Sequence, residues 1–292
     1  MRITILMLLL AMTTACEKTS AWEGSLETLL ASRPDLFGTV TRNPDKYRVQ
    51  IIYTQIDRDT NNQPDFTTFV YNVNPGEYFY PASTVKLPVA ALALEKLNRL
   101  NQPGLDRDTT MLTGADAPFQ TEAKVDDTSP TGLPSVGNYI RKILLVSDND
   151  AFNRLYEFMG QQEINERLQG MGYVDTRIIH RLESSLSEDE NRRTNPIQFI
   201  NGDESVYEQG AVHNEVIFRG AQPQELGRAE IVDGERLDRP KDFAGKNAYS
   251  LPDQHAFIKN LVFPQTANAK KRLHLNEGDY RFLYRYMSMY PG

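Results

Sequence analysis

Tyr78-Phe79-Tyr80-Pro81-Ala82-Ser83-Thr84-Val85-Lys86 runs into Leu87, Ala90, Ala91, Leu94 and Leu97, apolar residues that recur at helical spacing. The pattern predicts an amphipathic helix that opens at Ser83. A spacing of three puts the Ser83 hydroxyl and the Lys86 ammonium on one face, one turn apart. A serine hydroxyl is a weak nucleophile until a base takes its proton. A lysine is such a base when burial and positive neighbours depress its pKa. Alone, S-x-x-K recurs by chance, and an exposed Ser/Lys pair explains it equally well.

Ser147-Asp148-Asn149 interrupts two further helical patterns, Tyr139 to Val146 before it and Phe152 to Met159 after it. Read locally, it is an interhelical turn in which Ser147 or Asp148 caps the second helix. The order S-x-x-K and then S-D-N carries more. It resembles the class A β-lactamases and penicillin-binding proteins, most specifically over Phe79–Lys86 and Ser147–Asn149 and more loosely from about Tyr47 onward.

A third element follows. Class A β-lactamases carry E-x-x-L-N beyond S-D-N, and Glu183-x-x-Leu186 stands at the matching separation from Ser147. Ser187 occupies the place of the final Asn. In the family the glutamate and asparagine hold the water that hydrolyses the acyl-enzyme. A serine is shorter and lacks the separate donor and acceptor arms of an amide. An exposed acidic loop is the competing reading, because Glu188, Asp189 and Glu190 follow; Glu190 is the reserve candidate for the base.

The resemblance implies an α/β (α+β) fold of the β-lactamase/transpeptidase type, a helical subdomain beside a small antiparallel sheet. It implies that Ser83 attacks an amide carbonyl, that Lys86 is its base and that Ser147 relays a proton to the departing nitrogen. Asn149 would bind the substrate's side-chain amide and hold Lys86, and Glu183 would be the deacylation base. Asp148 is assigned to the turn. One oxyanion donor would be the Ser83 N–H. The implied ligand is a β-lactam or a cell-wall peptide, with no cofactor and no metal. The alternatives kept beside a β-lactamase are a peptidase or esterase on the same scaffold, and a catalytically degenerate binding lipoprotein.

Met1-Arg2 and the apolar run Ile3–Met12 read as a signal peptide, too short for a stable membrane span. Thr13-Thr14-Ala15-Cys16 resembles a lipoprotein processing site, with Thr13 where a leucine is usual. Cys16 is the only cysteine, so lipidation explains it better than redox or metal chemistry. The expected organisation is a leader over 1–15, a lipidated tether over 16–24 and a hydrolase domain over 25–292. The chain would be monomeric, exported, periplasm-facing and anchored to the membrane through Cys16.

The third family motif, a K-T-G-like triad on a strand, is not evident. Lys246-Asn247-Ala248 stands at a plausible distance, but Gly245 and Pro252 bracket a polar segment. Helical patterns over Pro252–Phe263 and Tyr280–Met289 precede that strand in the family, so the sequence leads one to expect C-terminal truncation, with the C-terminal strands missing from the sheet. Tyr47–Thr54 and Phe66–Val73 read as strands joined by a polar turn at Asn61-Asn62. Residues from about 201 to 249 read as a polar insertion, within which a short strand is expected at Val212–Phe218.

A net charge of −7 disfavours nucleic acid as a partner. There is no phosphate loop, no H-E-x-x-H and no Cys/His cluster. The four histidines are scattered, and nothing selects one for a Ser-His-Asp triad.

Overall fold

The computed structural model describes residues 25–218, 224–232 and 234–290. The leader and Cys16 lie outside the described residues. The chain divides into two compact units, one ending at Val73 and the other beginning at Asn74.

In the first unit, helices α1 (Leu26–Ala31), α2 (Pro34–Thr41) and α3 (Pro44–Tyr47) precede strands β1 (Ile51–Arg58) and β2 (Pro64–Tyr71). The strands pair antiparallel, from Ile51↔Tyr71 to Arg58↔Pro64. The polar turn predicted around Asn61-Asn62 is present. Asp59 Oδ1 accepts from the Asn61 and Gln63 N–H groups, and Asn62 takes the left-handed φ of 61° that Asn tolerates. Both strands are displaced from the expected Tyr47–Thr54 and Phe66–Val73. Pro44 starts a helical turn that takes up Tyr47, and left-handed Arg48 ends it, so extension begins only at Ile51.

In the second unit, a 3-10 turn over Ala82–Val85 leads into α4 (Lys86–Leu100), followed by β3 (Thr110–Thr113). Helices α5 (Val136–Val146), α6 (Asn149–Met159), α7 (Gln161–Gly170) and α8 (Glu188–Asn191) come next, then β4 (Ile197–Asn201) and β5 (Glu204–Gln209). The short strands β6 (Glu225–Leu226), β7 (Glu230–Val232), β8 (Glu235–Leu237) and β9 (Lys241–Asp242) precede α9 (Leu251–Val262) and α10 (Glu277–Met287). The sheets are antiparallel: β3-β4-β5, β6-β9 and β7-β8.

The expected amphipathic helix is instead a core helix. Every residue from Pro88 to Leu97 is buried, and α5 and α6 pack on it. Ala90, Ala91 and Ala93 let neighbouring backbones approach, while Leu92 and Leu94, each 1% exposed, fill the remaining space. Glu95 and Lys96 are buried with it only because each is paired. Glu95 meets Arg167 through two contacts of 2.8 Å, and Lys96 Nζ donates to the Phe158 carbonyl at 2.6 Å and to Gln209 Oε1 at 2.8 Å.

The predicted insertion contains strands rather than irregular chain alone. Its first part supplies β5, which pairs with β4 at the edge of the β3-β4-β5 sheet, while β4 itself precedes the expected insertion. Val212–Phe218 is not a strand; within it only His213 forms a bridge, to Arg193. The Thr194 N–H donates to the Val212 carbonyl and the Asn214 N–H to the Arg192 carbonyl, a contact of one bridge that does not extend into a strand.

Candidate active site

Lys86 is the first residue of α4, and Ser83 lies in the 3-10 turn just before it. Left-handed Ala82, at φ 46°, turns the chain sharply into that element. The difference from a continuous helix preserves the pairing: Lys86 Nζ lies 3.0 Å from Ser83 Oγ. Ser83 is exposed whereas Lys86 is 2% exposed. Among the described residues the Ser83 N–H makes no backbone hydrogen bond, and no imidazole is hydrogen-bonded to Ser83 Oγ.

Ser147 ends α5 in the left-handed conformation, φ 55° and ψ 41°, and Asp148 Oδ1 caps α6 by accepting from the Ala151 N–H at 2.7 Å. The turn therefore works as its composition suggested. Because the backbone reverses at Ser147, its carbonyl and its hydroxyl both face the lysine. Lys86 Nζ donates to the Ser147 carbonyl, lies 3.0 Å from Ser147 Oγ and donates to Asn149 Oδ1 at 2.6 Å. A non-glycine residue held left-handed costs about 1–3 kcal/mol and persists only where its surroundings over-determine it, which the Lys86 contacts do here.

Burial lowers the Lys86 pKa from its ordinary value, against opposing pulls from the charges of Asp148 and Glu183. The expectation of positive neighbours is therefore corrected. The nearby charges named here are negative, so desolvation is what lowers this lysine's pKa and raises the share of neutral amine able to take a proton.

The Asn149 amide spans two partners. Its oxygen faces Lys86, and its Nδ2 donates to Glu183 Oε2 at 2.8 Å. Glu183 is itself left-handed, at φ 51°, and exposed. Sequence reasoning missed Asn153. One turn beyond Asn149 on α6, it accepts from the Leu182 N–H at 2.8 Å and donates to the Leu182 carbonyl at 3.0 Å. The i,i+4 spacing of the two asparagines was its available signal.

Ser187 is spent on a cap. It opens α8 with a capping box in which Glu190 Oε2 accepts from the Ser187 N–H and hydroxyl, each at 2.7 Å. The reserve candidate Glu190 is thereby engaged with Ser187 rather than with Lys86 or Asn149.

Behind the loop lies a buried ion triad. Glu157, from α6, meets Arg181 at 2.9 Å and Arg154 at 3.2 Å. Burial raises the Glu157 carboxyl pKa, with the two guanidinium groups pulling the other way.

Two cavities adjoin these residues. One of about 240 Å³ is lined by Ser83, Lys86 and Ser147 together with Tyr249, Gln254 and Ile258. The other, about 300 Å³, is lined by Glu183, Asn153, Arg154, Glu157 and Arg181. Lys246-Asn247-Ala248 lies on neither; Ala248 bridges Arg177, outside any of the named strands. No group of three His, Cys, Asp or Glu side chains suited to a metal ion occurs among the described residues.

Comparison with curated proteins found no significant match. The model of the β-lactamase enzyme family matches residues 40–216, which is more than half the chain and takes in the serine–lysine pair, the Ser147 turn and the Glu183 loop. The chain belongs to the β-lactamase enzyme family.

Proposed function

We propose that this protein is a serine hydrolase that opens β-lactam amides through an acyl-serine intermediate, in the manner of class A enzymes. The observation that carries the reading is the placement of one buried amine 3.0 Å from each of two serine hydroxyls.

Counting hydrogen bonds gives that amine its role. Four oxygens surround Lys86 Nζ, but an ammonium has three donors. The Ser147 carbonyl and Asn149 Oδ1 can only accept. A neutral amine satisfies both and keeps its lone pair for a serine proton. Burial favours that neutral form.

Ser83 Oγ attacks the amide carbonyl carbon as its proton passes to Lys86 Nζ. The C–N bond then breaks, and the departing nitrogen takes a proton from Ser147 Oγ, which Lys86 replenishes. In this reading the Ser83 N–H donates to the oxyanion, and its lack of a backbone hydrogen bond among the described residues supports that role. For deacylation, Glu183 takes a proton from a water that attacks the ester carbonyl; as the C–O bond breaks, that proton is returned to Ser83 Oγ, which restores both groups. The Asn149 bond to Glu183 Oε2 leaves Oε1 for that water.

Labelling with a fluorescent penicillin tests the nucleophile. The label should map to Ser83 and vanish in Ser83→Ala; labelling that survives would refute the assignment.

One observation favours a second reading, a penicillin-binding peptidase or esterase. Ser187, where the resemblance calls for an asparagine, has its hydroxyl on Glu190. If wild type forms an acyl-enzyme that never turns over, this reading replaces the first. The cellular proposal, a lipid-anchored envelope protein, rests on residues 1–16. Incorporation of labelled palmitate should be lost in Cys16→Ser, and incorporation that persists would remove it.

A further inference from the structure

The five residues before Glu183, Ile178-Ile179-His180-Arg181-Leu182, belong to no helix or named strand. Buried backbone outside regular structure must still find partners for its N–H and C=O groups. Here every one of them meets a side chain. Asn165 accepts from the Ile178 N–H and donates to its carbonyl, both at 2.8 Å. Gln161 donates to the Ile179 carbonyl at 2.7 Å. Asn247 Oδ1 accepts from the N–H groups of Ile179, at 2.7 Å, and His180, at 3.1 Å, and its Nδ2 donates to the His180 carbonyl at 3.2 Å.

The pattern continues to the carboxylate. Asn191 Oδ1 accepts from the Arg181 N–H at 2.9 Å, and the Arg181 carbonyl pairs with the His180 imidazole. Asn153 takes both groups of Leu182. A carboxamide carries a donor and an acceptor at fixed separation, as a peptide group does, so these side chains replace a neighbouring strand.

Asn247 is the member that joins the most segments. It is 0% exposed, and its own carbonyl accepts from the Tyr78 hydroxyl at 2.7 Å. It sits between Lys246, whose carbonyl accepts from Arg177 Nε, and Ala248, whose N–H and C=O pair with Arg177. The polar tripeptide that stands where a catalytic lysine motif was sought thus turns its middle side chain onto the backbone that ends in Glu183.

We propose that Asn247 is a positioning residue for Glu183: through Ile179 and His180 it sets where the loop backbone runs, and so whether the Glu183 carboxylate reaches Asn149 and the hydrolytic water. The inference rests on the reading of Glu183 as the deacylation base. It gives the Lys246–Ala248 segment a role in deacylation and none in acylation, since its side-chain bonds go to the Glu183 segment and not to Ser83, Lys86 or Ser147.

The test uses the full chain and three variants. Asn247→Leu removes all three side-chain bonds, and Asn247→Asp keeps the acceptor for the two N–H groups. Glu183→Gln removes the base. Single-turnover rates with a fluorescent penicillin separate acylation from deacylation, and native-state hydrogen exchange reads the loop amides. In Asn247→Leu, acylation should stay within about threefold of wild type and deacylation should fall about tenfold to a hundredfold, the cost of misplacing a reacting group by a fraction of an ångström. Exchange should rise at residues 179–183 and not in α4–α6. Asn247→Asp should recover most of both.

Unchanged exchange over 179–183 in a folded variant overturns the proposal, as does an equal fall in both rates. If Asn247→Leu does not fold, Asn247→Ala carries the same comparison, because it removes the same three side-chain bonds without adding bulk. Should deacylation stay intact while loop protection is lost, Glu183→Gln decides. If that variant stops deacylation, the positioning proposal is wrong; if it does not, the base assignment has failed. In the latter case the Asn149 side-chain amide resonances settle positioning, because they shift in Asn247→Leu only if Asn247 holds the Glu183 contact.

Discussion

The two halves of the site are built by opposite means. Lys86 is held by regular structure: it heads a core helix, and Ser147 and Asn149 come to it from the junction of α5 and α6, two helices packed on α4. Glu183 is held by irregular chain whose backbone groups are captured one at a time by asparagine and glutamine side chains. A helix satisfies its own backbone, so its side chains are positioned as a set by packing. A loop satisfied by carboxamides depends on each of them separately. Acylation should therefore withstand changes at the loop, and deacylation should not.

The largest expected effect is at the regular half. Lys86→Ala should slow acylation by roughly a hundred- to ten-thousandfold, the range for loss of a positioned base. Stopped-flow labelling with a fluorescent penicillin reads it, and a loss under tenfold would take Lys86 out of its role. Next comes the packing beneath. Leu92→Ala, at a site 1% exposed, should cost about 2–5 kcal/mol in urea-unfolding free energy. A loss under 1 kcal/mol would mean that α4 is not the rigid member of the comparison.

The junction itself is smaller. Removing the α6 cap with Asp148→Ala should cost about 1 kcal/mol of stability. Asp148→Asn, which still caps, should retain most of it. Equal losses in the two variants would show that the carboxylate charge, rather than the cap, is what matters there.

The finest test couples the two halves through charge. The folded-state pKa of Lys86 is depressed, so acylation should rise with pH along a limb centred below the ordinary lysine value of 10.5. Glu183 opposes that depression. Glu183→Gln should therefore move the limb to lower pH while deacylation slows, and an upward shift would contradict the arrangement. The same sign bears on stability. A lysine with a depressed folded pKa contributes most above 10.5, and that contribution is lost as pH falls through the folded value. Lys86 is thus a cost to the fold at neutral pH, offset by its hydrogen bonds.

Much of the regular half was legible in the sequence. Apolar spacing over Leu87–Leu97, Tyr139–Val146 and Phe152–Met159 located α4, α5 and α6, and Ser147-Asp148-Asn149 read as the turn it is, because periodicity and caps are local signals. Glu183 was singled out by its spacing from Ser147 and by Leu186 three residues on; without the family pattern neither would set it apart from the acidic residues Glu188 and Glu190 that follow. Burial around α4 was underestimated, since Glu95 and Lys96 look solvent-facing until Arg167, Phe158 and Gln209 are seen beside them.

By itself the sequence determined the order of the helices, the turn between α5 and α6, and the chemical groups available at the site, since each of these depends on residues within a few positions of one another. Tertiary structure alone decided that Lys86 sits among negative rather than positive charges, that Ser187 is consumed by a helix cap, and that Asn247 supports the loop carrying Glu183. Such choices turn on partners far apart in the chain, and an asparagine bonded to a distant peptide group carries the same letter as one facing water.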